Sequence, residues 1–530
     1  DDLSISALSG ISTIASVNNL KNITTTSGDI TIEDKNGFGE VKKVLSIENI
    51  ASTKTNQDTI QITSTNTIKV EENSSLSADI IKLISNEDDV IVLKPTIDSV
   101  NMDYDYGVGL SAINGTVSSY QFFNADGYLE YRAGEQFQFG YEGSQAYTQN
   151  SATLDENGDV VSTETKTVDF SQMLPDTLSA DTIIIQTGET YTLSKDQTLE
   201  AKDKLELIST NANVLITGEI IVKSNVTDAK IDNFIVNAKN DISLVNTGIS
   251  ADVYTMNAGN DITIDYSNQD IKLKGKIEAG NDINLRVLEN NRGISAEDVT
   301  VLAQGDIFMD SQRSINSTDL SMFAAKDLTA KSSSYINLYT MVDTISLTAI
   351  GNITVNEADE LTITSAVTYD GDISITSGEN MIATNVTTSL DDNDISLKSF
   401  GDRIYVGYIE TATAQQDNKQ TGSITLESAN LILDNTAIRV NDGITDIYTS
   451  ALTIKGVTSS NYALEIEFGT PGGSTQKIAT TIDDEAIKSF KNQRPSYTLT
   501  TDLPVDEDVE LEVKEVLTID VDIIGDKNVK

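Results

Sequence analysis

Apolar and polar positions alternate with a period of two along much of the chain, in short runs broken by Gly, Asn and Asp. Gly371-Asp372-Ile373-Ser374-Ile375 shows the unit: a polar corner, then apolar, polar, apolar. Period two predicts a strand with one face buried. The same unit recurs. Ala258-Gly259-Asn260-Asp261-Ile262-Thr263-Ile264 returns as Ala279-Gly280-Asn281-Asp282-Ile283-Asn284-Leu285, and looser copies surround both. The first apolar positions, 242, 262, 283, 307, 328, 353, 373 and 395, stand 20 to 25 residues apart. Two or three short strands fit such a period, and one unit cannot bury its own apolar face. Stacked units can, with each strand lying on its counterpart in the next coil. The fold expected is therefore all-β, a right-handed parallel β-solenoid (β-helix). A sandwich array would need a far longer repeat.

The Gly-Asn-Asp-Ile-x-Ile units resemble the repeats of filamentous-haemagglutinin-type proteins, the large secreted bacterial adhesins that carry a β-solenoid. The resemblance covers about residues 180 to 430. It implies an extracellular or cell-surface protein with an adhesive role.

Texture divides the chain into four parts. Residues 1–97 read as the first part of the solenoid, with Gly28-Asp29-Ile30-Thr31-Ile32 as a further copy of the unit. Residues 98–175 hold many Phe and Tyr residues, among them Tyr128, Tyr131, Phe137 and Phe139. They read as an inserted aromatic-rich β module, with a hairpin-like turn at Ala133-Gly134. Its aromatics form either a core or an exposed face for a glycan or protein receptor. Residues 176–480 are the main solenoid. In 481–530 a short helix is expected over 482–494, opened by Asp483 and Asp484, with Lys488 and Lys491 near its end and Pro495 after it. Alternating strands through Leu511, Leu517 and Ile523 follow, as a cap or an association element.

Composition narrows the chemistry. The 530 residues include no Cys, His or Trp, and the formal net charge is −46. Disulfides, thiolate metal sites and His-based triads are excluded. The charge opposes nucleic acid and anionic membrane, and no apolar run is long enough to span a bilayer.

The most regular polar feature is a row of aspartates: Asp241, Asp261, Asp282, Asp306, Asp327, Asp372 and Asp394. In register they would stack and repel. Asx-turns at solvated corners are the expected compensation, with bound Ca²⁺ the alternative. A second calcium candidate is Asp155, Asn157 and Asp159, whose oxygens sit at positions 1, 3 and 5 of a calcium loop. Val160 and Lys166 hold the places where an EF-hand needs Gly and Glu, so a polar turn is the competing reading.

The function expected is non-enzymatic. It is an extracellular structural or adhesive protein, a rigid acidic β-solenoid rod that mediates surface attachment or self-assembles into a fibre, sheath or surface layer, associating through its ends or its C-terminal strands, with no nucleic acid and no membrane insertion. The alternative is a secreted polysaccharide lyase or glycosidase working with carboxylates and an Arg such as Arg286 or Arg292.

Overall fold

A computed structural model of the chain describes residues 2–35, 44–52, 58–78, 80–87, 89–92, 107–119, 128–134, 137–138, 151–154, 160–164, 177–224, 229–247, 249–318, 320–390, 392–401, 403–411, 413 and 422–428, and the backbone of the strands from Asn430 to Gly525. Every regular element among them is a strand, and the strands stack in parallel as a β-solenoid. The chain forms two compact units, 1–263 and 264–530.

In the first unit, successive strands alternate between two parallel ladders. One begins Asp2–Ala7, Asn19–Thr25, Leu45–Ser52, Ile68–Ser77. The other begins Ile11–Ala15, Ile30–Asp34, Thr59–Ser64, Ile80–Ser85. Isoleucine rests on isoleucine: Ile30 pairs with Ile60 and Ile32 with Ile62. These side chains are fully buried, each contributing roughly 1.5–3 kcal/mol. In the second unit, Ile353–Glu357, Ile373–Ser377, Ile395–Ser399 and Ile424–Glu427 make one ladder. Leu361–Thr368, Met381–Thr388 and Arg403–Glu410 make another. Burial alternates along them, as the period of two predicts.

The Gly of the repeat is set by crowding between coils. A Cβ on Gly259 would overlap the carbonyl oxygen of Lys239, and one on Gly371 would meet the backbone of Gly351 and Asn352. Neither glycine is left-handed, so close approach explains the choice rather than φ.

Two expectations need correction. Part of the region read as an insert is solenoid. Gly107–Ala112 and Tyr128–Ala133 pair in parallel between Ile80–Ser85 and Thr182–Thr187. Tyr128–Ala133 and Phe137–Gln138 belong to different sheets, so Ala133-Gly134 is a coil corner and not a hairpin turn. Aromatic residues suit strands of either direction, which is why composition misled. Antiparallel pairing in this region, among the described residues, is that of Ser151–Leu154 with Val160–Glu164.

The expected helix is also overturned where the structure describes it. Ile482 ends the strand Gln476–Ile482, which pairs antiparallel with Tyr462–Phe468, and Phe490–Lys491 is a strand. Asp483, Asp484 and Lys488 lie outside the described residues. Charge placement suited to a helix dipole does not outweigh sheet pairing on either side. Ser496–Thr500 and Val516–Ile519 continue the parallel stacking from Ala451–Lys455.

Candidate functional site

The polar features singled out by the sequence lie at coil corners, and two kinds of corner divide the work. The first precedes a strand. Here the side-chain oxygen of an Asp or Asn accepts the backbone N–H of the equivalent residue one coil later. Asp261 N donates to Asp241 Oδ1 (3.2 Å), Asp306 N to Asp282 Oδ1 (2.8 Å), Asp394 N to Asp372 Oδ1 (2.8 Å) and Ser423 N to Asp394 Oδ1 (2.7 Å). Asn serves equally: Asn213 accepts from Asp241, Asn352 from Asp372 and Asn380 from Arg403. The same geometry joins Thr59 to Asp29, Thr116 to Asp89 and Gly293 to Asp270.

A backbone bond runs the other way at the same step. Ile373 N donates to Asp394 O, and Ile353 N to Asp372 O, each at 2.8 Å. The side chain thus replaces a carbonyl where the chain has turned away from the ladder. The compensation found for Asp241, Asp282, Asp372 and Asp394 is a backbone N–H of the next coil. An N–H aimed at each of these four carboxylates also offsets repulsion between stacked charges. Asp327 departs from the rule and accepts from Thr344 Oγ1 (2.5 Å).

The second corner ends a strand and is buried. Its positions are mostly Ser, Thr or Ala, for example Ser64, Ser85, Ser311, Ser332, Thr368, Ser377 and Ser399. Here the turn bonded by a side chain does occur. Asn66 N donates to Ser64 Oγ (2.9 Å), Arg313 N to Ser311 Oγ (3.2 Å) and Ser334 N to Ser332 Oγ (3.1 Å). The hydroxyl then donates to a carbonyl one coil earlier: Ser85 to Asn66, Ser209 to Glu189 and Ser399 to Glu379. A hydroxyl is donor and acceptor at once, so it can be buried here without leaving a polar atom unmet.

An acid occupies a buried corner of this kind in each unit. Asp34, in register with Ser64, accepts from Ser64 Oγ (2.8 Å), Asn66 Nδ2 (3.2 Å) and Val17 N (3.3 Å). Glu357 lies in register between Thr340 and Ser377. It accepts from the backbone N–H groups of Val342 (3.2 Å), Ala358 (2.8 Å) and Asp359 (3.4 Å). Burial pushes its carboxyl up to about 7, against the pull of the backbone donors. Its place at the strand end was legible in the sequence, as the fifth residue of Ile353-Thr354-Val355-Asn356-Glu357. Its burial was not, because Glu is ordinarily exposed.

Outward-facing charges pair across coils. Arg132 reaches Glu130 (2.5 Å), Gln186 (2.8 Å) and Glu206 (3.3 Å), and Lys204 adds a bond to Glu206 (2.8 Å). The spacing that brings these together, over as many as 74 residues, carries no local sequence signal. Of the two arginines named for lyase chemistry, Arg286 is hydrogen-bonded to Asp265, and that bond and charge raise its pKa. Arg292 stands 3.9 Å from Asp270 and 4.0 Å from Glu289.

Asp155, Asn157 and Asp159 lie outside the described residues, between the two antiparallel strands. Among the described residues, no group of three or more acids is placed to hold a metal ion. Of the aromatics named for a receptor face, Tyr131 is wholly buried. No family model, curated protein or solved structure matches the chain. The resemblance to haemagglutinin-type repeats therefore rests on the repeat alone.

Proposed function

We propose that this chain is a non-enzymatic structural or adhesive element of an extracellular or cell surface, in which the solenoid supplies stiffness and reach. One observation carries the reading. Of the aspartates that form the most regular chemical feature of the sequence, Asp241, Asp282, Asp372 and Asp394 accept backbone N–H groups between coils, and Asp327 accepts a hydroxyl. Groups held this way strengthen a ladder; a general acid or base must instead reach a reacting atom. The charge of −46 supports the same role, because it opposes unspecific aggregation of a long β surface.

The test is incubation of the purified chain with a panel of neutral and acidic polysaccharides, with reducing ends and unsaturated uronates measured as products. No product is expected at any pH. Release that disappears in Arg286→Ala or Asp265→Ala would replace this reading with the polysaccharide-acting one. Attachment is tested in parallel, by binding of the immobilised chain to glycan and protein surfaces.

A further inference from the structure

We propose that one sheet face of the second unit binds an extended, uncharged, β-linked polysaccharide across several coils. The inference rests on the adhesive reading above and names its partner. The face belongs to the ladder that joins Ile315–Ser317 and Ile336–Ala349 to Ile353–Glu357, Ile373–Ser377, Ile395–Ser399 and Ile424–Glu427. The first isoleucine of each strand is buried, so the residue after it points outward. Those residues are Asn316, Asn337, Thr354, Ser374, Ser396 and Thr425, all in register. At the spacing of paired strands the column runs for about 24 Å.

Neutrality sets this face apart. Another ladder of the same unit carries a charge at successive coils, with Arg286, Asp310 and Lys331 in register on its outward side. Here each member of the column is a hydroxyl or an amide, half-buried or exposed. A second outward column, two residues further on, adds Tyr339, Asn356 and Thr376. Charge returns below them with Lys398 and Glu427, which pair at 2.9 Å. Tyr335 O accepts from Ile315 N (2.9 Å), which brings Tyr335 into the ladder, and its side chain is 42% exposed. Positions i, i+2 and i+4 share one side of a strand. Tyr335 and Tyr339 therefore flank Asn337, about 13 Å from one another. Asn337 Nδ2 donates to Asn316 Oδ1 (3.0 Å) and Ser317 O (3.2 Å), which orients the amides in advance of any ligand.

Chemistry selects the occupant. Hydroxyls and amides both donate and accept hydrogen bonds, as sugar hydroxyls do. A tyrosine ring offers an apolar body against which the C–H face of a sugar can lie, with a polar tip beside it. Repetition from coil to coil suits a polymer that itself repeats, and a β-linked chain is extended enough to follow the column. Charge narrows the class further. A chain of net charge −46 repels polyanions, and from Asn316 to Thr376 neither column offers a cation to hold an acidic sugar. A protein partner would call for apolar anchors at the centre of the face, where this one has amides and hydroxyls.

The test is isothermal titration of the 530-residue chain with cellohexaose and with chitohexaose, beside polygalacturonate at equal sugar concentration. Saturable binding of a neutral hexasaccharide is expected, and none of polygalacturonate. The double variant Tyr335→Ala, Tyr339→Ala should weaken binding about tenfold or more. Thr354→Glu, which sets a charge within the column, should weaken it as well. Ile382→Ala, 37% exposed on another ladder, should leave it unchanged, and thermal melts report whether each variant is folded.

Failure of both neutral probes to bind overturns the inference. Equal or tighter binding of polygalacturonate does so too, as does binding indifferent to both the tyrosine pair and Thr354→Glu. Attachment of the chain to glycan or protein surfaces that persists in these variants refutes this face and leaves the adhesive reading standing. Hydrogen exchange in the unmodified chain gives a second reading. The amides of 336–339 should slow at saturating hexasaccharide, and unchanged exchange refutes the site.

Discussion

The corner before a strand and the corner after it solve one problem with opposite chemistry. Both must satisfy backbone groups where the chain leaves the ladder. The leading corner is half in water and uses a carboxylate or amide oxygen that reaches one coil forward. The trailing corner is buried and uses a hydroxyl that receives from its own turn and gives one coil back. Exposure decides between them. A carboxylate at the rim keeps its second oxygen hydrated, while a buried group must meet all of its polar demand within the protein. Asp34 and Glu357 mark the limit of the rule, as acids placed where hydroxyls are usual.

The comparison can be broken most severely at the glycine of the leading corner. Gly259→Val or Gly371→Val drives a side chain into the backbone of the preceding coil. Destabilisation of roughly 3 kcal/mol or more is expected in urea denaturation. Serine at the same positions should be milder but still destabilising, since Cβ is itself the offending atom.

Glu357 offers the next effect, and it depends on pH. Its folded-state pKa of about 7 is raised from 4.5. The folded state therefore binds more protons than the unfolded one between these values. The stability that the neutral carboxyl allows is fully present below about 4.5 and is lost as pH rises through 7. Glu357→Gln keeps an acceptor for the Ala358 N–H and abolishes the titration. The wild-type melting temperature should fall relative to the variant between pH 5 and pH 8. A constant difference between the two would refute the assignment.

At the trailing corner, Thr368→Val removes a hydroxyl that donates to the carbonyls of Gly351 (2.8 Å) and Ile350 (3.2 Å) while keeping the shape. A loss of about 1–3 kcal/mol is expected, with the secondary-structure signal unchanged.

The leading aspartates should give the smallest effects and the sharpest contrast. Asp372→Ala deprives the Asp394 N–H of its partner, at a cost of about 0.5–1.5 kcal/mol. Asp372→Asn keeps the acceptor and removes a charge, as Asn352 already does one coil earlier. It should be neutral or slightly stabilising, most visibly at low salt where repulsion is least screened. A bound cation holding this row would reverse the order, with Asn as harmful as Ala and chelation lowering the melting temperature.

Much of this architecture was legible in residues alone, because a parallel solenoid repeats one local pattern. Ile-x-Ile fixed the buried face, and the spacing of 20 to 25 residues fixed the stacking. The Asp row was visible for the same reason, although its donors were not: an Asx-turn and a bond to the next coil call for the same residue at the same corner. Composition served less well at 98–175. Tyr131 lies in a solenoid strand and not in an insert, and aromatic content says nothing about strand direction. Across 482–494 the charges of a good helix were present, yet Gln476–Ile482 and Phe490–Lys491 are strands, because their pairing partners lie elsewhere in the chain.

By itself the sequence determined that the strands exist, which face of each is buried, and that neighbouring units must lie on one another, since those properties follow from spacing within one period. Tertiary structure alone decided which N–H groups these carboxylates serve, that Glu357 is shut away from water, and that Arg132 gathers partners up to 74 residues distant. The physical reason is one of range. Side-chain alternation is written into adjacent residues, whereas a hydrogen bond between coils or the loss of water around a charge depends on what the rest of the chain brings alongside.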